Sequence, residues 1–178
     1  MNNFRLAFAL SLAMCTSALA TTAQADAFLK LDTIAGEATD AAHRDEIVVS
    51  SYAFGAASSA SPTAGGASGV PKFDALTFSH LTDRASAALL LAVARGQQFK
   101  SAVLSVRKPG STSDYLKVTL SDVIVTSVKI AGTDNEPARE EVTIRFAKIV
   151  FEYFVTQRDG KLGTASRMGW DAAASKAL

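Results

Sequence analysis

Cysteine is almost absent from this chain of 178 residues, and the single cysteine, Cys15, lies in the N-terminal segment. One thiol cannot form an intramolecular disulfide, which excludes a disulfide-stabilised scaffold. The two histidines, His43 and His80, have no cysteine or carboxylate around them at the spacing of known metal motifs. No metal and no cofactor are therefore predicted.

An excess of charge of either sign is also missing. The chain has 18 Lys and Arg against 17 Asp and Glu, and Arg5 is the only charged residue among the first 25. The chain after residue 25 is therefore formally neutral. A neutral chain offers no electrostatic basis for binding nucleic acid or an anionic membrane surface, so neither is expected as a partner.

Catalytic motifs are lacking too. The serines on predicted strands do not lie in the Gly-x-Ser-x-Gly turn that exposes a nucleophile, and no catalytic residue is predicted. The cluster of Asp40, His43, Asp45 and Glu46 leaves one alternative open, an enzyme that binds a divalent cation there. An exposed polar turn before a strand is the simpler interpretation of that cluster. We expect a protein that is not an enzyme.

The first 25 residues have the order of a secretory leader. Arg5 precedes an apolar run over residues 6–15, and small residues follow up to an Ala-x-Ala site that ends at Ala25. This order predicts a signal peptide that is cut between Ala25 and Asp26. The apolar run is shorter than the roughly 20 residues that span a bilayer, so no stable membrane insertion is expected after cleavage.

Apolar residues alternate with period two through most of residues 26–155, which predicts one mainly β domain with antiparallel neighbours. In the last predicted strand the inward set changes parity near Ala147 and Lys148, which predicts a β-bulge. The predicted strands are residues 47–54, 75–80, 102–106, 116–120, 123–130 and 142–153.

One segment, residues 83–95, departs from this alternation and predicts a short helix. Asp83 can cap its start, and Gly96 suits the left-handed residue after its end. Leu90 and Leu91 lie outside its apolar stripe, so the helix is apolar most of the way round. Either loops of the same subunit or a neighbouring subunit covers them.

Two further segments have the composition of connections. Residues 55–71 consist almost wholly of Ala, Ser, Gly, Thr and Pro, which predicts a flexible loop. Loops of this length in compact domains are often functional. Residues 156–178 are interpreted as a polar C-terminal tail, in which Trp170 docks on the domain or on a partner.

The remaining polar positions are interpreted as surface features. His43 is expected in a solvated loop, and His80 at the end of a strand. Glu140 and Glu141 are expected on the solvent side of their strand.

Several phrases of the sequence occur in the same order as in one known family. They are Phe28-Leu29-Lys30-Leu31-Asp32, Gly36-Glu37, Ala88-Leu89-Leu90-Leu91-Ala92, Tyr115-Leu116-Lys117-Val118-Thr119-Leu120, Asp122-Val123-Ile124-Val125, Glu140-Glu141-Val142 and Phe146-Ala147-Lys148-Ile149. In these phrases the chain resembles the haemolysin-coregulated protein (Hcp) family, whose members form the secreted tube of type VI secretion.

The resemblance implies an antiparallel β-barrel of two sheets with one short α-helix. It also implies a structural role, in which subunits form a hexameric ring and rings stack into a tube that carries effectors. Spike, sheath and effector proteins are the further partners it implies. The candidate subunit or ring contacts are the helix and loop residues Leu90, Leu91, Gly55, Pro62, Gly65, Gly66 and Pro71.

The leader conflicts with one implication of the resemblance, because tubes of the family assemble in the cytoplasm and leave through the machine without a cleavable signal. Three explanations remain open: a start site placed too early, an exported periplasmic or extracellular relative with a binding role, and a signal-like segment that is not used. The order of charge, apolar run and Ala-x-Ala site favours export.

Overall fold

A computed structural model describes residues 26–58 and 71–178. The predicted signal peptide and the predicted loop contacts Pro62, Gly65 and Gly66 lie outside the described residues. Within the described part, the chain forms twelve strands and one helix. They are β1 (Ala27–Leu31), β2 (Ile47–Val49), β3 (Ser51–Ala53), β4 (Ala56–Ser58), β5 (Pro71–Phe73), β6 (Leu76–Leu81), α1 (Ala85–Arg95), β7 (Gln98–Arg107), β8 (Asp114–Thr133), β9 (Glu136–Arg145), β10 (Lys148–Thr156), β11 (Leu162–Asp171) and β12 (Lys176–Ala177).

Ten of the strands form one antiparallel sheet, and β8 joins its two parts. The first part has the order β12-β11-β10-β8-β7-β1-β2, and the second runs from β8 through β9 and β6 to β3. Residues 116–121 of β8 pair with β10, and residues 124–133 pair with β9. Between these two stretches Asp122 has a positive φ of 56°. The mainly β fold with one short helix is confirmed, and the two expected sheets share this strand.

The predicted β-bulge at Ala147 and Lys148 is wrong. β9 ends at Arg145, which pairs with Ile124, and β10 begins at Lys148, which pairs with Ser121. From the first pair to the second, β8 and the chain opposite it advance by the same number of residues. Neither side therefore contains the extra residue of a β-bulge. In β8 the buried residues are even-numbered up to Leu120 and odd-numbered from Val123. The sheet therefore turns a corner at this place, on β8 and on the chain paired with it.

Helix α1 begins two residues later than predicted and ends as predicted. The Oδ1 of Asp83 accepts a hydrogen bond from the N–H of Ala85 at 2.8 Å, and Gly96 is left-handed with φ 60°. Ala85, Leu89 and Ala92 are buried in the core that the sheet encloses. The helix therefore covers that core with one face.

The predicted loop 55–71 is framed by β4 and β5, which pair as a separate two-stranded arm. Aromatic side chains hold its base on the main sheet. The ring of Phe54 lies 6.3 Å from that of Phe151, and the ring of Phe73 lies 6.5 Å from that of Trp170.

The segment interpreted as a tail takes a different form in the structure. β11 pairs with β10 over most of its length, and β12 pairs with the end of β11. The predicted domain boundary at residue 155 falls inside β10, and the sheet continues beyond it. Among the described residues, no helix is long and apolar enough to cross a membrane.

Candidate functional site

One face of α1 points away from the core. Ala87, Leu90, Leu91 and Ala94 follow the spacing i, i+3, i+4 and i+7, and all four are exposed. Leu90 and Leu91 keep 44% and 45% of their surface accessible. The described loops of the same subunit leave both leucines uncovered. We call these four residues the helix surface.

A second apolar surface lies on the hairpin of β10 and β11. Phe151, Tyr153 and Val155 alternate along β10 on one face, and Met168 lies beside Phe151 on β11. Tyr153, Val155 and Met168 are exposed. We call these four residues the hairpin surface. The sequence analysis missed it, although the alternation of β10 continues through Val155 and was the signal that could have found it.

The two surfaces lie at different positions along β8, one near its start and the other near its middle. Tyr153 of the hairpin surface pairs with Leu116, whereas β7, which follows α1 directly, begins opposite Ile124. Eight residues of β8 separate these two positions, and the corner at Asp122 lies between them. One subunit can therefore present both surfaces at once.

The segment 36–46 meets β8 through His43, which is buried. Its Nδ1 lies 2.8 Å from Oε2 of Glu46, and its Nε2 lies 3.0 Å from Oδ1 of Asp114. The imidazole stacks on Phe28 of β1, with 4.5 Å between the ring centroids. The prediction that His43 is a solvated loop residue is wrong. Sequence alone offered no signal, because Asp114 follows 71 residues later.

Arg107 at the end of β7 completes this charge network. Its Nη1 donates to Oδ2 of Asp40 at 2.7 Å, and its Nε donates to Oδ1 of Asp114 at 2.9 Å. Burial disfavours the charged guanidinium, but the hydrogen bonds to Asp40 and Asp114 outweigh it and raise the pKa of Arg107. The hydrogen bond that Arg107 donates to Asp40, together with the one from the N–H of Ala42, lowers the pKa of Asp40.

These contacts explain the cluster of Asp40, His43, Asp45 and Glu46, which was the basis for the alternative of a metal-dependent enzyme. Asp40 binds Arg107, Glu46 binds His43, and Asp45 binds Arg84. No group of three or more His, Cys, Asp or Glu in residues 26–58 and 71–178 is arranged to hold a metal ion. Both ring nitrogens of His43 contact carboxylates, so this imidazole has no free nitrogen for a substrate.

A second buried pair links β6 and β9. His80 and Glu140 are each 1% exposed, with 3.2 Å between Nε2 and Oε2, and Oδ1 of Asp83 lies 3.8 Å from Nδ1 of His80. The solvent-facing position predicted for Glu140 is wrong, whereas Glu141 is exposed as expected. The alternation held the signal, because Glu140 is in phase with the buried residues Val142 and Ile144.

Residues 28–153 match the family model described as "Type VI secretion system effector, Hcp". The chain belongs to the Hcp family. It is 33% identical over 152 residues to Protein hcp1 of Pseudomonas aeruginosa, a match that covers 82% of this chain and 94% of that protein.

Solved Hcp structures share the fold. Hcp1 from Salmonella typhimurium is 33% identical with a TM-score of 0.74, covering 86% of this chain and 99% of its own. A structure titled as a type six secretion system protein is 25% identical with a TM-score of 0.81 and the same two coverages. The Hcp match begins two residues after the predicted cleavage site and ends within β10.

Proposed function

We propose that this protein is a type VI secretion tube subunit, which associates with itself into a hexameric ring and stacks into a tube that carries effector proteins. The observation that carries the proposal is the Hcp match over residues 28–153, the part of the chain that contains most of the antiparallel fold and α1. Other copies of the chain are then its first partners, and spike, sheath and effector proteins its further ones.

The two exposed apolar surfaces support the ring. A ring of identical subunits uses a heterologous interface, in which one surface of a subunit meets a different surface of the next. The helix surface and the hairpin surface are two such surfaces on one subunit. Burying the exposed half of Leu90 or Leu91 stabilises an interface by about 1 kcal/mol each.

The arm of β4 and β5 supports the stacking of rings. Gly55 precedes it, Pro71 is the first residue of its second strand, and Ala56, Ala57 and Ser58 are exposed on its first strand. Small side chains let two backbones approach closely but supply little binding energy of their own. The arm is therefore proposed as a contact between rings, and the larger apolar surfaces as contacts within a ring.

Native mass spectrometry of the chain that begins at Asp26 tests the ring. We expect the mass of six copies, and a shift to smaller species in the double variant Leu90→Gln/Leu91→Gln. Glutamine is a good helix former, so circular dichroism of that variant should match the wild type.

The matched control is Val48→Gln, which changes a half-exposed valine on β2 outside both surfaces. A wild type that is monomeric at every concentration contradicts the ring. If the double variant stays hexameric, the helix surface is not part of the interface.

A second proposal, alternative to the cytoplasmic tube, is that the chain is exported after cleavage of the predicted leader. Its support is the position of β1, which begins at Ala27, so a cut between Ala25 and Asp26 leaves the first strand whole. The mass of the chain in periplasmic and cytoplasmic fractions decides the point. A periplasmic chain that begins at Asp26 supports an exported Hcp protein. An uncut cytoplasmic hexamer contradicts export and supports the tube subunit.

A further inference from the structure

The outer edge of β11 is only partly covered in the part of the chain that the structure describes. Its other edge pairs with β10 from Leu162 to Asp171, whereas β12 and Leu178 cover the outer edge from Gly169 to Asp171 alone. We infer that β4 of another copy of this chain adds to the uncovered part as a further strand, by the strand addition that open sheet edges allow. The inference rests on the proposed stacking of rings and names the surface that receives the arm.

The uncovered part of the edge is short. β11 keeps one register with β10 from Asp171 to Ala165, and the register then shifts between Ala165 and Leu162. This shift places a β-bulge in β11, and a bulge at an edge is one way in which proteins protect edge strands from pairing. The stretch that remains open between the bulge and the part covered by β12 is residues 165–168. We call it the edge slot.

Backbone groups of the edge slot point away from the domain. Leu178 donates its N–H to the C=O of Gly169 at 3.1 Å, which continues the pairing of β12 with β11. Successive residues of a strand direct their backbone groups to opposite edges. The N–H and C=O of Ala165 and Arg167 therefore point to the same side as those of Gly169. Two residues of the edge slot present both a donor and an acceptor to an added strand.

The arm contains a strand that is suited to this slot. In the described part of the chain β4 and β5 pair only with each other, and a two-stranded hairpin is marginally stable in water without a further neighbour. β5 begins with Pro71, which has no N–H to donate, so β4 is the better edge. Asp74 donates its N–H to the C=O of Gly55 at 2.9 Å. By the same alternation, the N–H and C=O of Ala56 point away from β5.

The side chains of both strands permit the approach. Ala56 and Ala57 of β4 are small, and so is Ala165 of the edge slot. The charge of Arg167 already has a partner, because its Nε lies 3.6 Å from Oε1 of Glu152 on β10. β4 has three residues, a length that the four residues of the edge slot accommodate. The arm and the edge slot are different surfaces, as a heterologous contact between copies requires.

Cysteine cross-linking between two chains tests the pairing. The chain from Asp26 contains no cysteine, so the variants Ala56→Cys, Ala165→Cys and Arg167→Cys each carry a single thiol. Facing residues of a hydrogen-bonded antiparallel pair have their Cα atoms about 5.5 Å apart, which is within the range of a disulfide. Oxidation of Ala56→Cys mixed with Ala165→Cys or with Arg167→Cys should give a dimer of two different chains, identified by its mass.

The matched control for the cross-link is Val48→Cys, which places the thiol on a half-exposed residue of β2. Pairing raises the effective concentration of the two thiols, so the dimer with at least one edge-slot variant should form at least about tenfold faster than the dimer of Ala56→Cys with Val48→Cys. Equal rates in all mixtures overturn the inference.

A proline in the edge slot separates stacking from ring formation. Ala165→Pro removes an N–H that points away from β10, which an edge strand tolerates, and Ala165→Ser keeps that N–H. Native mass spectrometry should show hexamers of both variants, and electron microscopy should show at least about tenfold fewer stacked rings in Ala165→Pro. Equally frequent stacks in the two variants overturn the inference. Wild-type hexamers that do not stack overturn it together with the proposed stacking, whereas a wild type without hexamers overturns the proposed ring.

Discussion

The imidazole of His80 and the carboxylate of Glu140 face each other across paired strands, and neither reaches solvent. They are register partners of β6 and β9, with 3.2 Å between Nε2 and Oε2. A buried ionisable group loses its hydration and depends on its partner for compensation. Neither side chain has a hydrogen-bond partner among the described residues, so each depends on this facing contact.

Removal of one member of this pair should destabilise the fold strongly. Glu140→Ala leaves His80 buried without its carboxylate and should lower the free energy of unfolding by roughly 3 kcal/mol. Urea denaturation measures the change. Glu141→Ala is the matched control, because Glu141 is the next residue and forms an exposed pair with Lys129. It should cost less than about 1 kcal/mol, and equal losses in the two variants contradict the role of the buried pair.

The stability of the fold in acid should depend on Asp40. The hydrogen bond from Arg107 lowers the pKa of Asp40 below its ordinary value of 3.8. A lowered folded pKa gives stability that is present above that ordinary value and is lost as the pH falls through the folded pKa. Carbon-detected NMR titration of the carboxyl group should show the lowered pKa in wild type and a higher one in Arg107→Gln.

Arg167→Gln is the control for this titration, since Arg167 lies on β11 and pairs with Glu152. It should leave the pKa of Asp40 where it is in wild type. If the pKa of Asp40 does not rise in Arg107→Gln, the guanidinium is not the cause of the lowered pKa.

Gly36 should not tolerate a side chain. A Cβ at this position would overlap the carbonyl group of Glu46 and lie 2.6 Å from Cα of Ile47. Both obstacles are backbone, so Gly36→Ala must shift the segment and should cost about 1–3 kcal/mol. Thermal unfolding measures it. Gly132→Ala is the control, because the nearest atom to its Cβ would be 3.6 Å away, on Ala138, and its melting temperature should stay close to wild type.

Trp170 should report unfolding of the whole domain. It is the only tryptophan, and it lies on β11 against the ring of Phe73. Its fluorescence transition in denaturant should coincide with that of far-ultraviolet circular dichroism, as two-state unfolding requires. An earlier fluorescence transition would mean that β11 detaches independently, which is the behaviour of a tail.

Local patterns predicted α1 and the buried face of several strands, but they missed β11 and β12 in the segment interpreted as a tail. The side chain of Asp83 accepts a hydrogen bond at the start of α1, and Gly96 is left-handed after its end. The alternation of Leu116, Val118 and Leu120 marks the buried face of β8. Such signals depend on residues that are neighbours in sequence. They are therefore visible without knowledge of the fold.

The polar interior was harder to predict, for two different reasons. Glu140 was in phase with buried neighbours, but its charge favoured a solvent-exposed position. The residue that compensates its burial is His80 on the paired strand, which the local sequence does not show. His43 lies in a segment without periodicity, and its partner Asp114 is brought close by the chain fold. No local pattern contains that contact.

The length of β8 has a mechanical consequence. Its 20 residues are bonded to β7, β9 and β10, so both parts of the domain hang on one continuous backbone. A force along either stretch of β8 loads the cross-strand hydrogen bonds of that stretch together in shear, instead of breaking them one by one. Each part of the domain therefore resists a pull along its own stretch of β8, and the corner at Asp122 joins the two.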